Sequence, residues 1–382
     1  MRAILVDDEA LSLHYLSGLL RKIGGVEILG IYMNPYEAIE AVLTMKPTMV
    51  FLDIEMPGMN GMEVAEKIQQ SSPDTRIIFV TAFSEYAVNA FEMNAVDYLM
   101  KPVQLERLHK TLQRLTHEAV NVVAPTVPTR SAMVFAFQSL SFAWSGDSVD
   151  LVDVRWRTSK VRGVFAFLLQ HRGSFVRKDL LLEHFWPEVD GEKGFIQLYS
   201  TIYQIRKSIA ATNFDIVIVN QENGYRLDLN SVKFDVDEWE NRLKQASAVR
   251  ADTIGMHRQL LALYQGDYLA KEDYVWAEGE GERERLRILW LQHVSDVADY
   301  LEADKQFSEA ISLYLRVQIS QPFVDESYFK LMQLYSQLGN FRAVDQQYEQ
   351  LTNMLQDEYE AKPRVIVQKW YESWVARGGL EV

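Results

Sequence analysis

Three aspartates, a threonine and a lysine stand at the ends of apolar runs. Asp7 and Asp8 follow "AILV" (3–6), Asp53 follows "TMVFL" (48–52), Thr81 lies in "RIIFVTA" (76–82), and Lys101 follows "AVDYLM" (95–100). A charge at the end of a buried strand is costly unless something pairs with it. Converging carboxylates raise one another's pKa unless a cation sits among them. Oxygen ligands in a water-accessible loop cluster suit Mg²⁺, which accepts few protein ligands and keeps waters. In a neutralised cluster Asp53 can act as a nucleophile toward a phosphoryl group. Lys101 can then pair with the phosphate, and the Thr81 hydroxyl can donate to one of its oxygens. Taken singly, Asp7 or Asp8 reads as a helix N-cap, so the chemistry rests on the joint placement.

The elements that must position these groups alternate. Short apolar runs, including "VEILGIY" (26–32), are separated by helical patterns such as "PYEAIEAVLTM" (35–45) and "GMEVAEKIQQ" (61–70). Such alternation predicts five parallel strands in a doubly wound α/β sheet, whose ligands sit beyond the carboxyl ends of the strands. A helix over "LERLHKTLQRL" (105–115) closes this first domain.

The motifs "VDDE" (6–9), "LDIEMPGMNG" (52–61), "FVTA" (79–82) and "DYLMKPV" (97–103) resemble the receiver domain of two-component response regulators. The resemblance covers residues 1–118 and implies that Asp53 takes phosphate from a sensor histidine kinase. It further implies that Asp7, Asp8, Asp53 and the backbone carbonyl of Glu55 hold Mg²⁺, and that Thr81 and Tyr98 form a switch pair. Phosphatases with a nucleophilic aspartate share several of these groups, but that family wants a second aspartate two places after the nucleophile. Here Glu55 stands in that place, and no enzyme is expected.

The chain has 382 residues, 48% of them hydrophobic, enough for several cores and so for a multidomain protein. With no cysteine, disulfide frameworks and thiolate metal sites are excluded, in keeping with a reducing compartment. The start "MRAILVDDEALS" holds no apolar run of signal-peptide length, and no membrane span is expected; the expectation is a soluble cytoplasmic protein. The net charge of −14 excludes a chain that coats nucleic acid along its whole length. Residues 151–230 differ, with 11 Lys and Arg against 9 Asp and Glu.

Two prolines and no helical period mark 119–131 as a linker. Residues 132–231 read as strands around a "SGD" turn, three helices, and a hairpin over "FDIVIVNQENGYRLDL" (214–229). That order resembles the α+β winged helix of response-regulator output domains. The details "WP" (186–187), "IYQIRKSI" (202–209) and "NGYRLDL" (223–229) are similar to the Streptomyces antibiotic regulatory protein family. The resemblance implies a third helix that enters the major groove of promoter DNA. Opposite its apolar stripe of Phe195, Leu198, Ile202, Ile205 and Ile209 lie Lys193, Gln197, Ser200, Gln204 and Lys207. Amides and hydroxyls can read base edges while lysines meet phosphates. Arg206, on the flank, suits a phosphate contact or a structural ion pair; Arg226 in the wing could reach a minor groove.

Residues 232–375 read as helical throughout. Phe307 and Phe341, like Tyr314 and Tyr348, are 34 apart, the tetratricopeptide period. This all-α part resembles the bacterial transcriptional activation domain that follows the winged helix in the same family. The expected function is a response regulator in which phosphorylation of Asp53 controls DNA binding and transcription, with RNA polymerase as a further partner. The alternative is a phosphorylation-dependent scaffold whose winged helix binds protein. A homodimer formed on phosphorylation is expected through Tyr86, Phe91 and Met93 on the face of "EYAVNAFEMNAVDYL" (85–99).

Overall fold

The structure, a computed structural model, describes residues 1–82, 97–117, 130–146, 149–221, 223–279 and 281–378. It divides into two compact units, Met1–Ala132 with Phe142–Val232, and Met133–Ser141 with Lys233–Val382. Residues 133–141, expected at the start of the winged helix, group with the second unit. Tyr86, Phe91 and Met93 lie outside the described residues, as do nearly all of the linker and the Tyr98 side chain.

The first unit begins with β1 (Arg2–Val6), α1 (Ala10–Ile23), β2 (Glu27–Tyr32), α2 (Pro35–Met45), β3 (Met49–Leu52), α3 (Gly61–Ser71), β4 (Arg76–Thr81), β5 (Asp97–Met100) and α4 (Leu105–His117). The five strands form a parallel sheet in the order β2-β1-β3-β4-β5. Every residue of β3 is buried, as a strand covered on both faces requires. On one face Leu13, Leu16 and Leu20 of α1 and Leu108 and Leu112 of α4 pack against Leu5, Phe51 and Ile78. Helix starts are set locally: the Asn34 side chain accepts from Tyr36 N ahead of α2, and Asn60 from Met62 N ahead of α3. Register places Val6 beside Leu52, Leu52 beside Phe79, and Thr81 beside Met100. Asp7, Asp8, Asp53, Thr81 and Lys101 therefore lie at the carboxyl ends of β1, β3, β4 and β5.

Most of β6 (Ser131–Phe135) belongs to the second unit, and the first unit resumes at Phe142 in β7 (Ser141–Ser145), which pairs antiparallel with β8 (Val149–Val152). Then follow α5 (Ser159–Gln170), β9 (Val176–Arg177), α6 (Lys178–Phe185), α7 (Gly191–Ala210), and the hairpin β10 (Val217–Gln221) and β11 (Gly224–Asp228), with β11 also pairing with β9. Three helices followed by a hairpin are the winged-helix order. The Thr158 side chain caps α5 by accepting from Val161 N. The apolar stripe of α7 is buried at Leu198, Ile202, Ile205 and Ile209, whereas Phe195 is only half-buried.

The second unit holds β12 (Lys233–Phe234), parallel to β6, and then α8 (Asp235–Gln245), α9 (Ile254–Leu263), α10 (Val275–Gly279), α11 (Glu282–Ala303), α12 (Phe307–Ser320), α13 (Asp325–Gln337), α14 (Phe341–Tyr359) and α15 (Val365–Ala376). The 34-residue repeat is visible in the backbone. Gln306 N donates to Leu301 O at the first turn and Asn340 N to Tyr335 O at the second. Lys305 and Gly339, also 34 apart, take left-handed φ values of 59° and 69°. Residues 34 apart thus close the two helical hairpins with the same hydrogen bond.

A histidine pair is buried in this unit. His257 Nδ1 lies 2.9 Å from His293 Nε2, and His257 Nε2 lies 3.0 Å from Ser247 O. The Ser247 carbonyl can only accept, so His257 Nε2 carries a proton and donates to it. Burial, reinforced by His257, pushes the His293 pKa down to about 4 from 6.5. A lowered pKa means that stability is full above the unfolded value and is lost as pH falls toward 4. Thermal unfolding of the second unit should therefore show about 2 kcal/mol less stability at pH 5 than at pH 7.5 from this group. A His293→Leu variant should show a flatter pH dependence over the same range.

Candidate functional site

The carboxyl ends of β1 and β3 bring Asp7, Asp8 and Asp53 together, with one carboxylate oxygen of each within 4.8 Å of the others. Asp7 and Asp53 are each 5% exposed. Lys101, directly after β5, reaches both: its Nζ lies 2.6 Å from Asp53 Oδ2 and 2.8 Å from Asp7 Oδ2. Backbone donors add to this, Ile54 N to Asp53 Oδ1 at 2.7 Å and Glu9 N to Asp7 Oδ1 at 2.9 Å. Burial pushes the Asp7 carboxyl up, and the Lys101 ammonium opposes that shift. Burial also works against the Lys101 charge, but hydrogen bonds to Asp53 and Asp7 hold its pKa above the usual lysine value. The ammonium is thus a fixed counter-charge for two nearly buried carboxylates.

Thr81 ends β4 wholly buried, and its carbonyl accepts from Lys101 N at 2.9 Å, which ties the β4 and β5 ends together. Glu55 lies in the loop after Asp53, exposed at its side chain. That loop is shaped by a close approach. Gly61 N donates to Ile54 O at 2.7 Å, and a Cβ on Gly61 would stand only 1.9 Å from the Asp53 carbonyl oxygen. No side chain fits there, so glycine is required for α3 to start beside Asp53.

Three hard carboxylate donors at a loop edge, two of them nearly buried, fit Mg²⁺ or another small divalent cation. Asp7, Asp8 and Asp53 would hold it, and when bound it would supply positive charge beside these carboxylates.

The helix expected to read DNA is set differently from its sequence pattern. Lys193 and Lys207 are exposed and Gln197 is half-buried, as an outward face demands. Ser200 is 0% exposed and Gln204 8% exposed, which corrects their placement on an open face. Gln204 borders a cleft of about 390 Å³ lined by Arg157, Thr158, Lys160, Trp186, Gln197 and Thr201. The reason is that α7 is covered on more than one side: α5 and α6 pack against it, and so does α3. A helix with several neighbours buries residues beyond its one apolar stripe. Arg206 forms the ion pair foreseen as one of its two roles, with Glu66 of α3 at 3.1 Å. Arg226 is paired with Asp228 on the same strand at 2.8 Å and stacks over Phe175. Sequence reasoning missed Glu66, Lys178, Tyr225, Arg157 and Lys160; nothing in their local pattern distinguishes them from ordinary surface or strand residues.

Residues 3–113 match the response regulator receiver domain. An uncharacterized response regulatory protein of Shewanella oneidensis is 45% identical over 128 residues, 32% of this chain and 53% of that protein. The transcriptional regulatory protein BtsR of Salmonella typhi is 34% identical over 214 residues, 54% of this chain and 86% of that protein. The chain belongs to the response regulator family. The receiver implies a cognate histidine kinase. The response regulatory domain of mrkE from Klebsiella pneumoniae, known from a crystal structure, is 36% identical over 31% of this chain and 97% of that one, with a TM-score of 0.30. This response regulator spans about half the length of the first curated relatives it matches. No helix among its described residues is long and apolar enough to cross a membrane.

Replacing Gly61 with Ala should destabilise the receiver by roughly 1–3 kcal/mol, because the Asp53 backbone has to move. Urea unfolding of the variant measures the loss, and Mg²⁺ titration should show weaker binding alongside it.

Proposed function

We propose that this response regulator is a phosphorylation-controlled transcription factor of the Streptomyces antibiotic regulatory protein type, acting in the cytoplasm. The observation that carries the proposal is the convergence of Asp7, Asp8, Asp53, Thr81 and Lys101 on one sheet edge. An Asp53 oxygen attacks the phosphorus of a phosphohistidine on the kinase; the P–N bond breaks, the imidazole leaves, and an acyl phosphate forms. Lys101, already within ion-pair reach of Asp53, then pairs with the new phosphate, and Thr81 is placed to turn its hydroxyl toward it. Mg²⁺ would sit on Asp7, Asp8, Asp53 and the Glu55 carbonyl, and Tyr98 would follow Thr81 inward.

Promoter DNA is the proposed target of α7. Support comes from the cleft in which the Gln197 and Gln204 amides meet Arg157 and Lys160, a mixture of base-reading and phosphate-pairing groups. The second unit, with its repeated hairpins, is the proposed contact for RNA polymerase or another protein. The resemblance of 132–231 and 232–375 to the winged-helix and transcriptional activation domains of that family favours this reading over a scaffold. A homodimer formed on phosphorylation would place two winged helices on adjacent half-sites.

Acetyl phosphate with Mg²⁺ should label the protein with acid-labile phosphate, and Asp53→Asn should abolish the label; equal labelling of the variant would refute the assignment. In gel shifts on the upstream region of its own gene, Gln204→Ala should cost roughly 1 to 3 kcal/mol on the preferred site and less on random DNA. Lys193→Ala and Lys207→Ala should weaken both and reduce the salt slope. Equal losses on both DNAs for Gln204→Ala would show that α7 is not the reader.

A further inference from the structure

Glu66 is an acid in a place where acids normally meet water. Along α3, Val64, Ala65 and Ile68 are buried, and at about 100° per residue Glu66 lies on the opposite side of the helix. Yet Glu66 is only 1% exposed. What buries it is the winged helix: Arg206 Nη1 of α7 lies 3.1 Å from Glu66 Oε1, and the Tyr225 hydroxyl of β11 donates to Oε2 at 2.7 Å. Lys178, itself 5% exposed, sits over the rings of Tyr199 and Tyr225 at 5.1 and 5.4 Å, and its charge also acts on Glu66. Burial pushes the Glu66 carboxyl up, and Arg206, Tyr225 and Lys178 all oppose that shift.

Three elements of the winged helix thus converge two cations and a hydroxyl donor on a single carboxylate. Without that carboxylate the pocket would hold a buried Lys178 and a half-buried Arg206 without the Glu66 charge, an arrangement that a protein cannot keep at low cost. The pocket lies between α7 and the wing, the elements proposed to lie along DNA. It also adjoins the phosphoacceptor loop, because a cavity of about 690 Å³ is lined on one side by Asp8, Glu55 and Glu63 and on the other by Phe195, Ile196 and Tyr199 of α7.

We infer that Lys178, Arg206 and Tyr225 form an anion-binding pocket which the receiver plugs with the Glu66 carboxylate, and which accepts a nucleic-acid phosphate when the receiver lets go. Receiver and DNA then compete for one pocket, so a receiver that stays docked weakens DNA binding. The phosphate half of the inference rests on the DNA-reading proposal above; the plug does not.

The test uses the full chain. In amide hydrogen exchange, Glu66→Ala should raise exchange in α7 between Tyr199 and Arg206 by about tenfold or more, because the two cations lose their partner and the contact opens. Glu66→Gln keeps the size and the hydrogen-bonding oxygen but not the charge, and should produce a smaller rise in the same segment. Unchanged exchange in α7 for both variants would overturn the plug. On random-sequence duplex DNA, Glu66→Ala should bind more tightly than the parent with a steeper salt dependence. Adding Lys178→Met should take about one unit from that slope. Opened exchange with no gain in DNA affinity, in a protein that still binds DNA, would overturn the phosphate site. Opened exchange in a protein that binds no DNA in any form would uphold the plug and refute the DNA reading instead.

Discussion

The structure of the receiver turns on one electrostatic constraint: carboxylates at the ends of buried strands cannot stand alone. Asp7 and Asp53 are nearly buried, and each lies within 3 Å of the Lys101 ammonium. The lysine can reach both only because β5 pairs with β4, and β4 with β3, in parallel register. The sheet order, the tie between Lys101 N and Thr81 O, and the close approach at Gly61 all serve to bring these charges into one place. Such an arrangement is an unlikely choice for stability alone, since desolvated ion pairs contribute little net free energy. It makes sense as a reactive site whose charge balance a divalent cation and a phosphoryl group can change.

The same constraint appears a second time, with the chemistry reversed. At Glu66 one carboxylate of the receiver satisfies two cations of the winged helix. Both places bury charge that needs a partner: Lys101 for Asp7 and Asp53, and Glu66 for Arg206 and Lys178. α7 borders the Asp53 loop as well as Glu66, so both sites adjoin the same helix. Coupling between the two sites would require a difference in free energy between two docked states.

The second unit follows other rules. Its order comes from the repeat: hairpins closed by equivalent hydrogen bonds 34 residues apart stack their apolar faces on one another. Within it, burial holds the His293 pKa well below the usual histidine value, so this buried contact with His257 costs stability when pH falls.

Much of this was legible in the sequence because it depends on local pattern. Asp7, Asp8, Asp53, Thr81 and Lys101 could be read from strand ends, since an apolar run followed by a charge marks where a strand leaves the core. The strands, the helices around them, the terminal hairpin and the 34-residue period followed from the same periodicities. What the sequence left open depends on which surfaces meet. Ser200 and Gln204 lie on the polar side of α7 by helical spacing, yet both are buried in a helix that α5, α6 and α3 pack against. Glu66 looks like any solvated acid on the outer side of α3, and Lys178 like any exposed lysine at a helix start. Helical periodicity specifies one apolar face and says nothing of a second neighbour that meets the polar side. Only the packing of α7 against α3 decided that Glu66, Arg206, Lys178 and Tyr225 share one pocket, because their attraction becomes strong only once they have been taken out of water together.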